Sequence, residues 1–283
     1  MSKKLGAASL SIGVNVCLVA SKAFVAFITG SIGLYAETAH SFFDLFASVL
    51  AYLGIRKAQQ PEDPTHHFGH EKFENLSSLL QALLITATAL VVIYEAYSKF
   101  MNPSAVEFSE AGIALMLVSL PVVYYTSKYL GETASTEGSS ALEADSAHFT
   151  TDVISSASVL VGLVLVKLGY GFGDPFAALV VGVVMLWMSI GLLKKSFFVF
   201  MDFGPGAKTM ERIGAVVAED GRIRNFHKLR ARIAGSRLFV EVHIRLPQNT
   251  PIRDAHAVAH DVEKRIISKI PEVKEVTVHV EPD

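Results

Sequence analysis

The chain has 283 residues, of which 51% are hydrophobic and only 18% charged; its mean hydropathy of +0.41 is too apolar for a soluble enzyme of this size. A formal net charge of −2 supplies no basic footprint, so nucleic-acid binding is excluded. The single cysteine, Cys17, lies in an apolar run; it makes neither an intrachain disulfide nor a four-thiolate metal site, and reads as a small buried hydrophobe.

Crossing a bilayer takes roughly 20 apolar residues, and six stretches are long enough, at residues 8–29, 34–55, 75–97, 109–130, 143–167 and 175–197. The first has no small-residue cleavage site and runs past Lys22 without a polar break, so it is a retained helix. Lys3, Lys4, Arg56, Lys57, Lys72, Lys128, Lys194 and Lys195 fall on the N-terminal side, against Lys99 and Lys167 on the other. That asymmetry predicts cytoplasmic termini. The expected fold is a polytopic α-helical membrane protein with six transmembrane helices over residues 1–203, followed by a soluble domain over 204–283.

The second stretch contains Ala36-Glu37-Thr38-Ala39-His40 and then Asp44. The loop after it reads Pro61-Glu62-Asp63-Pro64-Thr65-His66-His67-Phe68-Gly69-His70-Glu71-Lys72. His66 and His70 are four apart with Asp63 close by, so three ligands can gather without long-range folding; on spacing alone, the alternative is a solvated surface loop. The fifth stretch echoes the second with Ala144-Asp145-Ser146-Ala147-His148 and then Asp152. Positions i and i+4 share a helix face, so each of these two oppositely directed helices presents a His–Asp pair.

Together, His40, Asp44, His148 and Asp152 form a closed set of two imidazoles and two carboxylates. It suits tetrahedral Zn²⁺ and is reasonable for Co²⁺, Cd²⁺ or Fe²⁺, but not for Mg²⁺, Ca²⁺ or Cu(I). An interhelical hydrogen-bonded cluster is the bland alternative, weakened because ionisable groups in lipid are costly and the pattern occurs twice. Glu37 and Asp145 lie three residues before each His; they read first as partners orienting the ligands, otherwise as ligands or helix-end groups. Counting about 1.5 Å per residue puts His40 and Asp44 nearer the outer surface and His148 and Asp152 nearer the inner, an offset of a turn or more.

In the tail, residues 207–220 and 253–269 read as helices, and 226–233, 237–246 and 273–281 as strands. Leu238, Val240, Val242, Ile244 and Leu246 alternate with Glu241, His243 and Arg245; Val276, Val278 and Val280 alternate with Thr277, His279 and Glu281. Two polar strand faces thus carry His243 and the His279/Glu281 pair.

At these residues the chain resembles the cation diffusion facilitator family of divalent-metal exporters, over nearly its whole length. The resemblance implies a homodimer in the cell (inner or plasma) membrane. It implies His40, Asp44, His148 and Asp152 as the transport site and Asp63, His66 and His70 as a loop site, with no counterpart for His67. It also implies that Lys72 and Asp202 interlock protomers near the cytoplasmic surface. The tail becomes a metallochaperone-like α+β domain, ordered α-β-β-α-β, which dimerises and binds regulatory metal through His227, His243, His256, His279 and Glu281. Glu281 stands where some members have Asp, and His260 falls outside the match. Many bacterial members carry Asp in place of His40, and His there looks more like the zinc-preferring ones.

Paired carboxylates in a poorly hydrated site are relieved either by protons or by a divalent ion, and metal binding requires neutral His and ionised Asp. The expectation is therefore a metal/proton antiporter working by alternating access, with zinc first among zinc, iron, cadmium, cobalt and manganese. A membrane-anchored metal sensor and a membrane metalloenzyme are the alternatives. Against an enzyme, four side chains leave no open coordination position, and the sequence has no His-Glu-x-x-His.

Overall fold

A computed structural model describes residues 2–29, 32–101, 110–168 and 173–283, in two compact units, Met1–Ser196 and Phe197–Asp283. Six helices carry the first unit, the last ending just past its border: α1 (Lys3–Thr29), α2 (Ile32–Ala58), α3 (Lys72–Met101), α4 (Glu110–Glu137), α5 (Ser140–Lys167) and α6 (Gly173–Phe200). Among the described residues, four helices are long and apolar enough to cross a membrane: Lys3–Ile28, Lys72–Met101, Ile113–Glu137 and Pro175–Phe200. The other two, α2 and α5, carry the duplicated His–Asp pairs. Several helices outrun their apolar stretches, so Lys128 lies within α4 and Lys194 and Lys195 within α6 rather than in loops.

Side chains sort as helices in lipid require. Phe24, Phe27, Phe43, Val118 and Trp187 are exposed, whereas Ala7, Ser11, Asn15, Ala47 and Ser48 are buried; small and polar residues let backbones approach and hydrogen-bond across helices. Cys17 is exposed, not buried as its apolar surroundings suggested, because its side of α1 faces away from the bundle. Where α2 crosses α3, a Cβ on Gly54 would fall 2.4 Å from that of Ser77, whose Oγ donates to the Leu50 carbonyl at 2.8 Å. Ser127 and Ser146 clasp α4 to α5, each hydroxyl donating to the other's carbonyl at 3.1 and 2.9 Å.

The second unit runs α7 (Ala207–Ala218), β1 (Asn225–Ala234), β2 (Arg237–Leu246), α8 (Ile252–Lys269) and β3 (Val273–Pro282). β1 and β2 form an antiparallel hairpin, and α8 is the crossover that brings β3 parallel to β2. The hairpin turns on Gly235 and Ser236, with Gly235 at φ 58°, a left-handed conformation that glycine adopts freely. Val240, Val242 and Ile244 of β2 pack against Val217 of α7 and Val258, Val262 and Ile266 of α8. Both helices therefore cover one sheet face and leave His243 on the other.

Candidate metal centres

The antiparallel run of α2 and α5 is fixed by two contacts: Asp44 meets His148, and Ser48, one turn further along α2, meets Asp145, one turn earlier in α5. His148 Nε2 lies 3.1 Å from Asp44 Oδ1, and His40 Nε2 lies 3.8 Å from the same oxygen. Ligand atoms of His40, Asp44 and Asp152 all fall within 4.8 Å of one another. Asp44 and His148 are each 6% exposed. Despite their 3.1 Å separation, neither Asp44 Oδ1 nor His148 Nε2 makes a hydrogen bond. The two atoms face each other as a buried ion-pair contact that a shared proton or cation can bridge.

The offset in depth expected from the apolar stretches is not present. Asp44 and Asp152 are each the thirteenth residue of their helices, about 18 Å along antiparallel rods about 40 Å long, so both sit at mid-height. Both helices begin before their apolar stretches do. Asp145 is fully buried one turn away from the ligands and accepts a 2.9 Å bond from Ser48 Oγ, which in turn accepts from Ser11 Oγ (2.6 Å) and Asn15 Nδ2 (2.8 Å). Asn15 also donates to the Asp44 carbonyl at 3.3 Å. This network ties α1 to α2 and α2 to α5 beside the His–Asp cluster. The side chain of Glu37 lies outside the described residues.

A cavity of about 160 Å³ reaches the site, lined by His40, Asp44 and Asp152 together with Lys22, Ser119 and Ser155. Its other walls lie toward the C-terminal ends of α1, α3 and α5. The opposite end of the bundle is packed around Glu74, 2% exposed, which accepts from Lys4 Nζ at 3.2 and 3.3 Å and from Ser139 Oγ.

In the loop, Asp63, His66 and His70 also hold ligand atoms within 4.8 Å of one another. His70 Nδ1 donates to the Pro61 carbonyl at 3.0 Å, which turns Nε2 toward Asp63 Oδ2 at 3.2 Å. Asp63 Oδ1 accepts from Thr65 Oγ1 (2.7 Å), Thr65 N (2.8 Å) and His66 N (2.7 Å), which leaves Oδ2 for an ion. These bonds, the Thr65 hydroxyl's foremost, hold the Asp63 carboxyl well below the usual carboxylate range. His67 turns aside to the Pro64 carbonyl.

On the sheet, His227, His243 and His279 stand opposite one another across all three strands. Glu281 Oε1 lies 2.8 Å from His243 Nδ1 and 3.8 Å from His279 Nε2, and its Oε2 lies 3.3 Å from His227 Nε2. The His243 bond, foremost, depresses the Glu281 carboxyl. His227 reaches this face through a bulge: its register with His243 shifts before Arg230 pairs with Glu241, so Lys228 and Leu229 together oppose Val242. Lys228 adopts φ 48°. Leu229, Ala231 and Ile233 pack on the core; simple alternation would send His227 there too, and the extra residue reverses it.

Not every expected residue joins these clusters. Within one chain His256 stays apart, exposed on α8 with its ring stacked on His260, because α8 covers the core face of the sheet. Lys72 opens α3 in the first unit. Asp202, in the second, has φ 54° and lies 3.8 Å from Arg232.

Residues 8–201 match the cation efflux transmembrane domain and residues 205–283 the cytoplasmic domain of cation efflux proteins. The chain belongs to the cation diffusion facilitator family. It is 29% identical to the cation-efflux pump FieF of Shewanella oneidensis over 98% of this chain and 93% of the relative. It is also 32% identical to an uncharacterized transporter of Synechocystis sp., over 97% and 89%. Among solved structures, the metal-bound C-terminal domain of the CzcD transporter from Thermotoga maritima is 28% identical, covering 26% of this chain and 87% of that one, with a TM-score of 0.26.

This member of the family is thus a cation efflux transporter and not an enzyme. Sequence reading missed several of the residues that shape its clusters. Ser11 and Asn15 are polar residues four apart on an apolar helix, and Ser48 lies four beyond Asp44; that helical spacing is the available signal. The bulge at Lys228 leaves only a break in the alternation of β1.

Proposed function

We propose that this transporter exports divalent metal, zinc foremost, in exchange for protons. His40, Asp44, His148 and Asp152 carry the travelling ion. The observation that supports this most is the convergence of His40, Asp44 and Asp152, with ligand atoms within 4.8 Å of one another and His148 Nε2 3.1 Å from Asp44 Oδ1, beside a cavity. Two carboxylates balance a divalent ion, and protons on the same groups satisfy the emptied site, so the two cargoes compete.

In this reading all six helices of residues 1–203 cross the cell membrane with both termini in the cytoplasm. The cavity then faces outward, and the Lys4–Glu74–Ser139 contact closes the cytoplasmic end. Residues 204–283 form a cytoplasmic domain where metal on His227, His243, His279 and Glu281 favours one dimer geometry. Asp63, His66 and His70 hold a further ion, and Lys72 and Asp202 interlock the protomers. The test is metal uptake into inverted vesicles with and without an imposed pH gradient. Uptake that follows the gradient and vanishes in Asp44→Ala supports antiport; indifference to the gradient refutes the coupling.

A further inference from the structure

One residue of the cavity is neither a ligand nor a support for one. Lys22 comes from α1, which contributes none of the four proposed ligands, and its side chain lines the same cavity as His40, Asp44 and Asp152. Its Nζ donates a 2.9 Å hydrogen bond to Ser41 Oγ, and Ser41 directly follows His40 on α2. Among the described residues no other lysine or arginine lines this cavity. An ammonium inside a membrane helix is expensive and persists where it faces a polar cavity and opposite charge. Here that charge belongs to Asp44 and Asp152.

We propose that Lys22 is the resident counter-cation of the transport cavity: it offsets the carboxylate charge when the cargo has left and lowers the affinity of this conformation for the incoming divalent ion. The inference rests on reading the four-residue cluster as the transport site. With a divalent ion bound, the two aspartates are already neutralised, and Lys22 leaves the cavity one positive charge in excess. After the ion has left and before protons arrive, Lys22 cancels half of the carboxylates' negative charge. The lysine therefore disfavours the loaded state and favours the empty one, which is what release requires of a site that must also bind tightly. Its bond to Ser41 holds it beside the proposed ligands. Arginine can supply the same charge; a neutral side chain cannot.

The experiment uses full-length protein in nanodiscs, with His70→Ala and His243→Ala in the background so that the transport site dominates binding. Affinity for Zn²⁺ and Co²⁺ is measured by competition with a chromophoric chelator, and turnover in proteoliposomes. Lys22→Gln is expected to tighten binding about tenfold, the order of effect of one unit charge removed at close range, and to slow turnover. Lys22→Arg should restore both. Lys22→Met, similar in length and compatible with lipid, is the second neutral variant if Gln disturbs insertion. A merely structural lysine would weaken binding or leave it unmoved on neutralisation, so either result overturns the proposal. Asp152→Ala in the same background is the separate control: if it leaves binding intact, the transport-site reading itself fails, whatever Lys22 does.

Discussion

The bundle and the sheet each gather histidines around carboxylate, yet they treat the empty state differently. In the bundle, Asp44 Oδ1 and His148 Nε2 are buried and without hydrogen bonds. On the sheet, Glu281 engages His243 at 2.8 Å, and its side chain is 26% exposed, so water reaches it. The sheet site, though His227 Nδ1 has no partner of its own, lies open to water, tolerates emptiness and suits a sensor. The buried cluster, in which two carboxylates share one lysine and two imidazoles, gains most from a guest, either a metal or protons, and this suits a carrier.

The largest effect expected from this contrast is on transport. Asp44→Asn and Asp152→Asn each remove a proposed ligand charge, and metal flux into proteoliposomes should fall by more than the ~100-fold that loss of a ligand's orienting partner reaches. Thermal stability of the metal-free protein should hold or rise, since one of two neighbouring buried carboxylates that share Lys22 is replaced by a neutral group. A large loss of stability would mean that the empty bundle site is internally satisfied, and the contrast would break. On the sheet the opposite pairing is expected. Glu281→Ala combined with His243→Ala should weaken metal binding by the cytoplasmic domain about 10- to 100-fold while flux at saturating metal stays within a few-fold. If flux vanished as completely as in Asp44→Asn, the sheet would belong to the transport path.

The third effect sharpens the comparison by asking what holds the sheet domain together when its metal is absent. Asp220, 6% exposed, accepts from Arg222 Nη2 at 2.7 Å and Arg265 Nη2 at 3.0 Å. The Arg222 bond, foremost, holds its carboxyl far below the usual range. A carboxylate depressed in the fold stabilises above its unfolded value near 3.9 and loses that contribution as pH falls toward its folded one. Melting of the cytoplasmic domain in chelator should therefore steepen in its pH dependence below about pH 4, and Asp220→Asn should flatten that dependence at a cost of about 1.5–3 kcal/mol at neutral pH. An unchanged acid limb would show that this ion-pair cluster is not what links the domain to pH.

Legibility in the sequence followed the same division. The bundle's candidate residues were readable because a helix repeats its faces at fixed spacing, and the same His–Asp pair at i and i+4 appears in both α2 and α5. Their common depth was not readable, because apolar stretches under-report where helices begin. The shared polar face of His243, His279 and Glu281 on β2 and β3 followed from strict alternation through Val242 and Val278. His227 did not: its face depends on an inserted residue that alternation counts wrongly, and only the family resemblance brought it in. The hydroxyl and amide network under Asp145 stayed hidden because single Ser and Asn residues in an apolar helix have no pattern of their own.

The smallest effect tests that inserted residue. Lys228 sits at φ 48°, a conformation a β-branched side chain adopts only at a cost of about 1–3 kcal/mol and glycine adopts freely. Lys228→Val should lower the melting temperature of the sheet domain, whereas Lys228→Gly should leave it unchanged or raise it slightly. In both variants the helix-built site is untouched, so flux should keep its wild-type metal affinity. The discriminating variant deletes Lys228 outright. Loss of one residue restores simple alternation and turns His227 from the Glu281 face toward Val217 and Val262 in the core, so metal affinity of the sheet should fall as it does in His227→Ala. If the deletion kept full affinity, β1 would have recovered the bulge elsewhere, and the backbone irregularity would be incidental to how the sheet assembles its histidine row.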